Sequence, residues 1–115
     1  VCVTTFFDEG DTSNAVATDF IKGFKEYLVA NGQDEIIPAV SALGYDAYLA
    51  AVKAIETAGS TDPVAIRDAL KGVEFEGVTG AISFDENGDA NKDKAFIKVV
   101  ENGQFKFLKT VSVGE

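Results

Sequence analysis

The sequence predicts an α/β fold: one N-terminal strand, three helices, then a C-terminal strand meander. Three observations predict it. Val1 to Phe7, VCVTTFF, is β-branched and aromatic, the composition of a buried strand. Pro38 to Gly59, PAVSALGYDAYLAAVKAIETAG, is the longest periodic segment, with Leu43, Ala47, Ala50, Ala54 and Ala58 recurring at helical steps beside Ala51 and Ile55. The C-terminal stretch alternates and contains Asn102-Gly103, a strong short hairpin signal compatible with a type I′ turn.

The elements between follow from local chemistry. Asp8 to Ser13, DEGDTS, reads as a polar acidic loop. Asn14, or Ser13 before it, can cap a helix running to about Ala30, whose apolar face is Val16, Phe20, Phe24, Tyr27 and Leu28, with Asn31-Gly32 ending it. In the central helix either Pro38 sits in the first turn or Ser41 is the N-cap, and Gly59 supplies the left-handed stop. Asp62 followed by Pro63 starts a short helix over Val64 to Lys71 with Ile66 and Leu70 inward. Val73 to Gly80, VEFEGVTG, reads as extended or irregular. Ala81 to Phe84 is a strand, Asp85 to Asp89 a turn, Lys94 to Val100 a strand, and Gln104 to Val113 a returning strand with Phe105 and Phe107 opposite Lys106 and Leu108. One strand ahead of three helices leaves apolar helix faces with little sheet to cover, which points to a missing partner sheet.

Composition narrows the function. Nineteen acidic against ten basic residues give a net charge of -9, which repels phosphates and argues against nucleic acid or anionic membranes as partners. No apolar run approaches the roughly 20 residues of a transmembrane helix, so no membrane insertion is expected. With no histidine and only Cys2, the usual zinc ligands and the usual base for a serine or cysteine nucleophile are missing, and no disulfide can form within the chain. Cys2, lying in a strand, is expected to be an inert buried thiol. Asp85, Asn87, Asp89, Asn91 and Asp93 alternate as in a calcium loop, but Gly88 stands at the fourth position and Phe96 where a bidentate glutamate is needed, so a hairpin turn is the better reading. Asp8, Glu9 and Asp11 could do acid/base work or simply form an acidic surface loop. No catalytic residue, cofactor or metal is expected.

Ala42 to Ala47 (ALGYDA), Ala58 to Leu70 (AGSTDPVAIRDAL) and Phe75 to Asp89 (FEGVTGAISFDENGD) together resemble the C-terminal part of periplasmic solute-binding proteins of ABC importers. Within them the chain is most similar to the branched-chain amino acid-binding group with the type I periplasmic binding fold. The opening VCVTTFFDEGD resembles that family's strand passing from the second lobe back to the first. The resemblance implies a two-lobed, non-catalytic solute receptor, of which residues 1–115 are a single C-terminal segment. The main site for the ligand's α-carboxylate and α-ammonium groups would lie outside it. The segment could be a remnant, an expressed piece or one polypeptide of a split assembly.

The implied partners are a small-molecule amino acid ligand and, in the full-length protein, the transporter permease. The implied location is periplasmic or extracytoplasmic, lipid-anchored if Gram-positive. A sensory ligand-binding domain of the same fold is the alternative, and self-association of the isolated chain without ligand is a third reading.

The resemblance makes residues 1–7 and 78–84 candidate inter-lobe crossing strands, with Thr5, Thr79 and Gly80 at the hinge. The plainer reading of Gly77 and Gly80 is relief of crowding where a strand enters a sheet. Phe6 and Phe7, at the end of the first strand, are candidate ligand-binding residues, against core packing of one and a place under the loop for the other. Ser41 stands where the family commonly carries an aromatic near the ligand side chain. Tyr45 could offer a hydroxyl or ring face, although Tyr45 and Tyr48 equally suit packing on a sheet with surface hydroxyls.

Overall fold

Asn14, Pro38 and Asp62 decide where the three helices begin in the computed structural model, which describes residues 1–113. Asn14 Oδ1 accepts from the amides of Val16 (2.9 Å) and Ala17 (3.2 Å), and α1 runs Ala15–Ala30. Asn14, not Ser13, is therefore the cap. Helix α2, Ala39–Ala58, starts directly after Pro38, whose extended backbone ends the linker; Ser41 lies inside the first turn and caps nothing. Gly59 closes α2 at φ 60°, the left-handed conformation expected of it. Asp62 caps α3, Pro63–Leu70, through the amides of Val64 and Ala65, with Pro63 first in the helix.

The strands form two antiparallel sheets. One has the order β1 (Cys2–Thr5), β5 (Lys94–Glu101), β6 (Gln104–Ser112); the other runs β2 (Phe75–Gly77), β3 (Gly80–Phe84), β4 (Ala90–Lys92). The β5–β6 hairpin turns at Asn102 and Gly103, both at positive φ (51° and 75°), as the dipeptide predicted. Lys98 pairs with Phe107 and Ile97 with Lys109, so Leu108 is the extra residue of a β-bulge and the simple alternation breaks there. Residues 73–80 hold a regular short strand, β2. The polar Ala90–Lys92 pairs with β3 as a strand that composition hid.

Two expectations are corrected. Strand β1 is mostly exposed because it pairs with β5 alone and no helix packs over it, so Cys2 is an exposed free thiol. In α2 the buried stripe is Ala42, Asp46, Ala50 and Ala54, while Ala47, Ala51 and Ile55 face outward. Ala50 and Ala54 are buried as expected; in the first half of the helix the buried face shifts by one residue, from Leu43 and Ala47 to Ala42 and Asp46, where a carboxylate, described below, is anchored.

The core lies between α1, the start of α2 and the β2–β3 turn: Phe7, Ala17, Leu28, Ile37, Ala42 and Val78, flanked by half-buried Phe20 and Phe24. Ile66 and Leu70 are only half-buried on α3. The radius of gyration is 15.9 Å, whereas a compact domain of this length has about 13 Å. The chain is thus two connected bodies: the helices with β2-β3-β4, and the β1-β5-β6 sheet. It passes between them at Phe6–Phe7, after β1, and at Asp93, between β4 and β5.

Candidate functional site

Where the two bodies meet, the stripe of α2 carries Asp46, only 3% exposed. Asp46 Oδ1 accepts from the Val78 amide (2.7 Å), and Oδ2 accepts from the Thr79 amide (2.8 Å) and the Thr79 hydroxyl (2.6 Å). Lys92 Nζ in turn donates to Thr79 Oγ1 at 2.6 Å. A buried carboxylate with three fixed donors is a clamp, since its charge is compensated where it sits.

Glycines on either side make the clamp possible, for different reasons. A Cβ on Gly77 would stand 2.6 Å from Asp46 Oδ1 and 2.8 Å from Ile82 Cδ1. Gly80 holds φ at +100°, and a Cβ there would meet Asp93 Oδ1 at 2.7 Å. The crowding reading is thereby satisfied at both positions. Residues 78–84 do not themselves pass between the two sheets: Val78 and Thr79 form the two-residue turn joining β2 and β3 of the same sheet, with Gly77 paired to Gly80. Thr79 and Gly80 abut the passage at Asp93.

Lys92 lies 5.9 Å over the centre of the Phe6 ring. Burial pushes its pKa below the ordinary lysine value, with Asp46 and Asp93 pulling the other way. Phe6 is 38% exposed and lines a cavity of about 260 Å³ with Thr4, Thr5, Leu43 and Ala95. That cavity opens between the β1-β5-β6 sheet and α2, and it combines an aromatic ring and a leucine with two threonines. A small solute with an apolar part and few polar groups suits such a lining. Thr5 Oγ1 accepts from the Phe7 amide at 3.5 Å, shaping the exit from β1.

The other candidates do not converge there. Phe7 is 2% exposed and packs edge-on to Phe20 at 6.1 Å, which places it in the core, out of reach of a solute. Ser41 is half-buried in the first turn of α2, its amide bonded to the Pro38 carbonyl. Tyr45 packs on Phe20 at 5.1 Å and lines a separate shallow groove with Phe24 and Tyr27 of α1. Sequence reasoning missed Asp46 and Lys92. The available signal was one carboxylate four residues after Ala42 and four before Ala50, in the middle of an apolar stripe. Asp85 Oδ1 accepts from the amides of Asn87 and Asp89, closing the hairpin turn between β3 and β4. Among the described residues no group of three acidic or sulfur ligands is arranged to hold a metal ion, and no helix is long and apolar enough to cross a membrane.

Comparison with known proteins places this architecture. The profile described as periplasmic binding protein matches residues 1–104. A leucine-, isoleucine-, valine-, threonine- and alanine-binding protein of Pseudomonas aeruginosa is 35% identical over 85 residues, which is 70% of this chain and 20% of that protein. The crystal structure of the leucine-binding protein LivK of Thermotoga maritima superposes with a TM-score of 0.79 at 38% identity, covering 96% of this chain and 30% of that one. An ABC transporter substrate-binding protein of Desulfitobacterium hafniense, solved with leucine, gives 0.78 at 29% identity over 93% of this chain and 30% of its own. The chain thus spans less than a third of the length of these relatives.

Proposed function

The chain belongs to the periplasmic binding protein family, and from that membership we propose that it provides one cleft wall and the hinge of an extracytoplasmic solute receptor for an ABC importer. The solute is an amino acid, branched-chain or a closely related small molecule, handed to the transporter permease. The role is binding, without catalysis. The observation that carries the reading is the cavity around Phe6, placed where the chain passes from one body to the other. A solute seated there touches Thr4, Thr5 and Ala95 on the sheet side and Leu43 on the helical side. It favours the orientation in which both sets of contacts form, which is how a ligand stabilises a closed state. Thr5 and Asp93 lie at the two passages, and Thr79–Gly80, clamped by Asp46, form the fixed abutment against which they turn.

The matched relatives are about three times as long, so a chimera tests the reading: the corresponding segment of the Thermotoga maritima protein is replaced by this chain. Calorimetric titration with L-leucine, L-valine and L-phenylalanine is expected to give saturable heat with at least one. Phe6→Ala is expected to weaken that binding by about tenfold, because losing one aromatic contact surface costs on the order of 1.5 kcal/mol. A folded chimera silent to all three, or indifferent to Phe6→Ala, would contradict the proposal.

A further inference from the structure

The loop that joins β1 to α1 carries three carboxylates, and each divides its two oxygens in the same way. Asp8 Oδ2 meets Lys98 Nζ at 2.7 Å while Oδ1 accepts from the Gly10 amide at 2.7 Å. Glu9 Oε2 meets Lys25 Nζ at 2.6 Å while Oε1 accepts from the Ile37 amide at 3.2 Å. Asp11 Oδ2 meets Lys94 Nζ at 3.0 Å while Oδ1 accepts from the Ser13 amide and hydroxyl at 3.1 and 2.6 Å. The lysines divide between the two bodies. Lys94 and Lys98 lie on one face of β5, either side of buried Phe96, whereas Lys25 belongs to α1 and Ile37 leads into α2.

We infer that residues 8–11 are an ionic clasp that sets the orientation of the β1-β5-β6 sheet against the helical body, and that hinge motion proceeds by loosening it. Partial burial gives these pairs their weight: the Asp8–Lys98 and Asp11–Lys94 side chains are only 10–26% exposed, so water and salt screen them far less than an open surface pair. Loop and sheet are also in contact, because a Cβ on Gly10 would stand 3.5 Å from Phe107 Cβ and 2.9 Å from Asp8 Oδ1. In a chain of net charge -9, three of only ten basic residues gather on this one loop. The clasp rests on the reading of two bodies joined at Phe6–Phe7 and Asp93, and on no ligand.

Spin labels on Cys2 of β1 and on a Glu56→Cys substitution in α2, both exposed sites, report the angle between the bodies through their distance distribution. The parent chain is expected to give one narrow peak. Lys94→Gln with Lys98→Gln is expected to lose that peak to a broad distribution while helical circular dichroism is retained; an unchanged narrow peak in the folded variant overturns the clasp. If that variant loses its helices, the charge swap Asp8→Lys with Lys98→Asp decides. Recovery of the narrow peak, against its loss in Asp8→Lys alone, supports the clasp, and a swap as broad as the single variant overturns it. No ligand enters the readout, so silence of the chimera toward amino acids together with an intact clasp response would remove only the solute reading.

Discussion

Asp46 holds the β2–β3 turn because the turn presents three donors, two amides and a hydroxyl, and a carboxylate can accept from all of them. Thr79→Val keeps the shape but removes the hydroxyl between Asp46 and Lys92, leaving a half-buried ammonium without its acceptor. Leaving such a group unpaired costs about 1–3 kcal/mol, so denaturant unfolding of Thr79→Val should show a loss in that range, and a loss within experimental error would remove the clamp from the account. Asp11 extends the argument to pH. Burial raises its carboxyl, but the Ser13 hydroxyl and amide and the Lys94 ammonium outweigh that and hold it below the ordinary value of 3.8. A depressed folded pKa contributes stability that is present above the unfolded value and lost as pH falls through the folded one. Asp11→Asn is therefore expected to be less stable at neutral pH and to show a flatter acid limb below about pH 4; an acid limb as steep as the parent's would contradict the assignment.

At the scale of elements, the caps separate local from tertiary stabilisation. The Asp62 side chain accepts from Val64 and Ala65 of its own helix, while Asn14 also donates through Nδ2 to the Gly77 carbonyl at 2.8 Å and to Glu76 Oε1 at 3.2 Å. Asp62→Ala should cost about 1 kcal/mol, and Asn14→Ala measurably more, in the same unfolding experiment; equal losses would show that the link to β2 contributes nothing. Helix boundaries were legible in the sequence because Asn14, Gly59, Asp62 and Pro63 act within a turn of their own position. The β5–β6 hairpin was legible for the same reason, its Asn102-Gly103 turn being local. The buried face of α2 was not, because Asp46 is inward only by virtue of Val78 and Thr79, more than thirty positions along the chain. Strand β4 was hidden because its residues, Ala-Asn-Lys, are strand only by pairing with β3. Of the candidate site, Phe6 could be placed from the end of β1. The separation of Tyr45 from it, and the burial of Phe7, depend on how α1 and α2 pack.

At the scale of the molecule, surfaces remain that a self-contained domain would cover. Phe105, Phe107 and Leu108 are 64, 42 and 52% exposed on β6, an edge strand of its sheet. Edges of this kind pair with other chains. The isolated chain is therefore expected to elute earlier in gel filtration as concentration rises, and a compact monomer throughout would contradict this. Under the proposed function the same sheet and the helical body are the sides of a joint, with the Phe6 cavity as its cleft and the Asp46 clamp at its base. The most direct test is small-angle X-ray scattering of the chimera with the Thermotoga maritima protein, with and without saturating L-leucine. Closure about the cleft predicts a smaller radius of gyration with ligand. Identical scattering at a concentration where calorimetry shows the site filled would contradict a hinged wall, and with it the central reading of this chain.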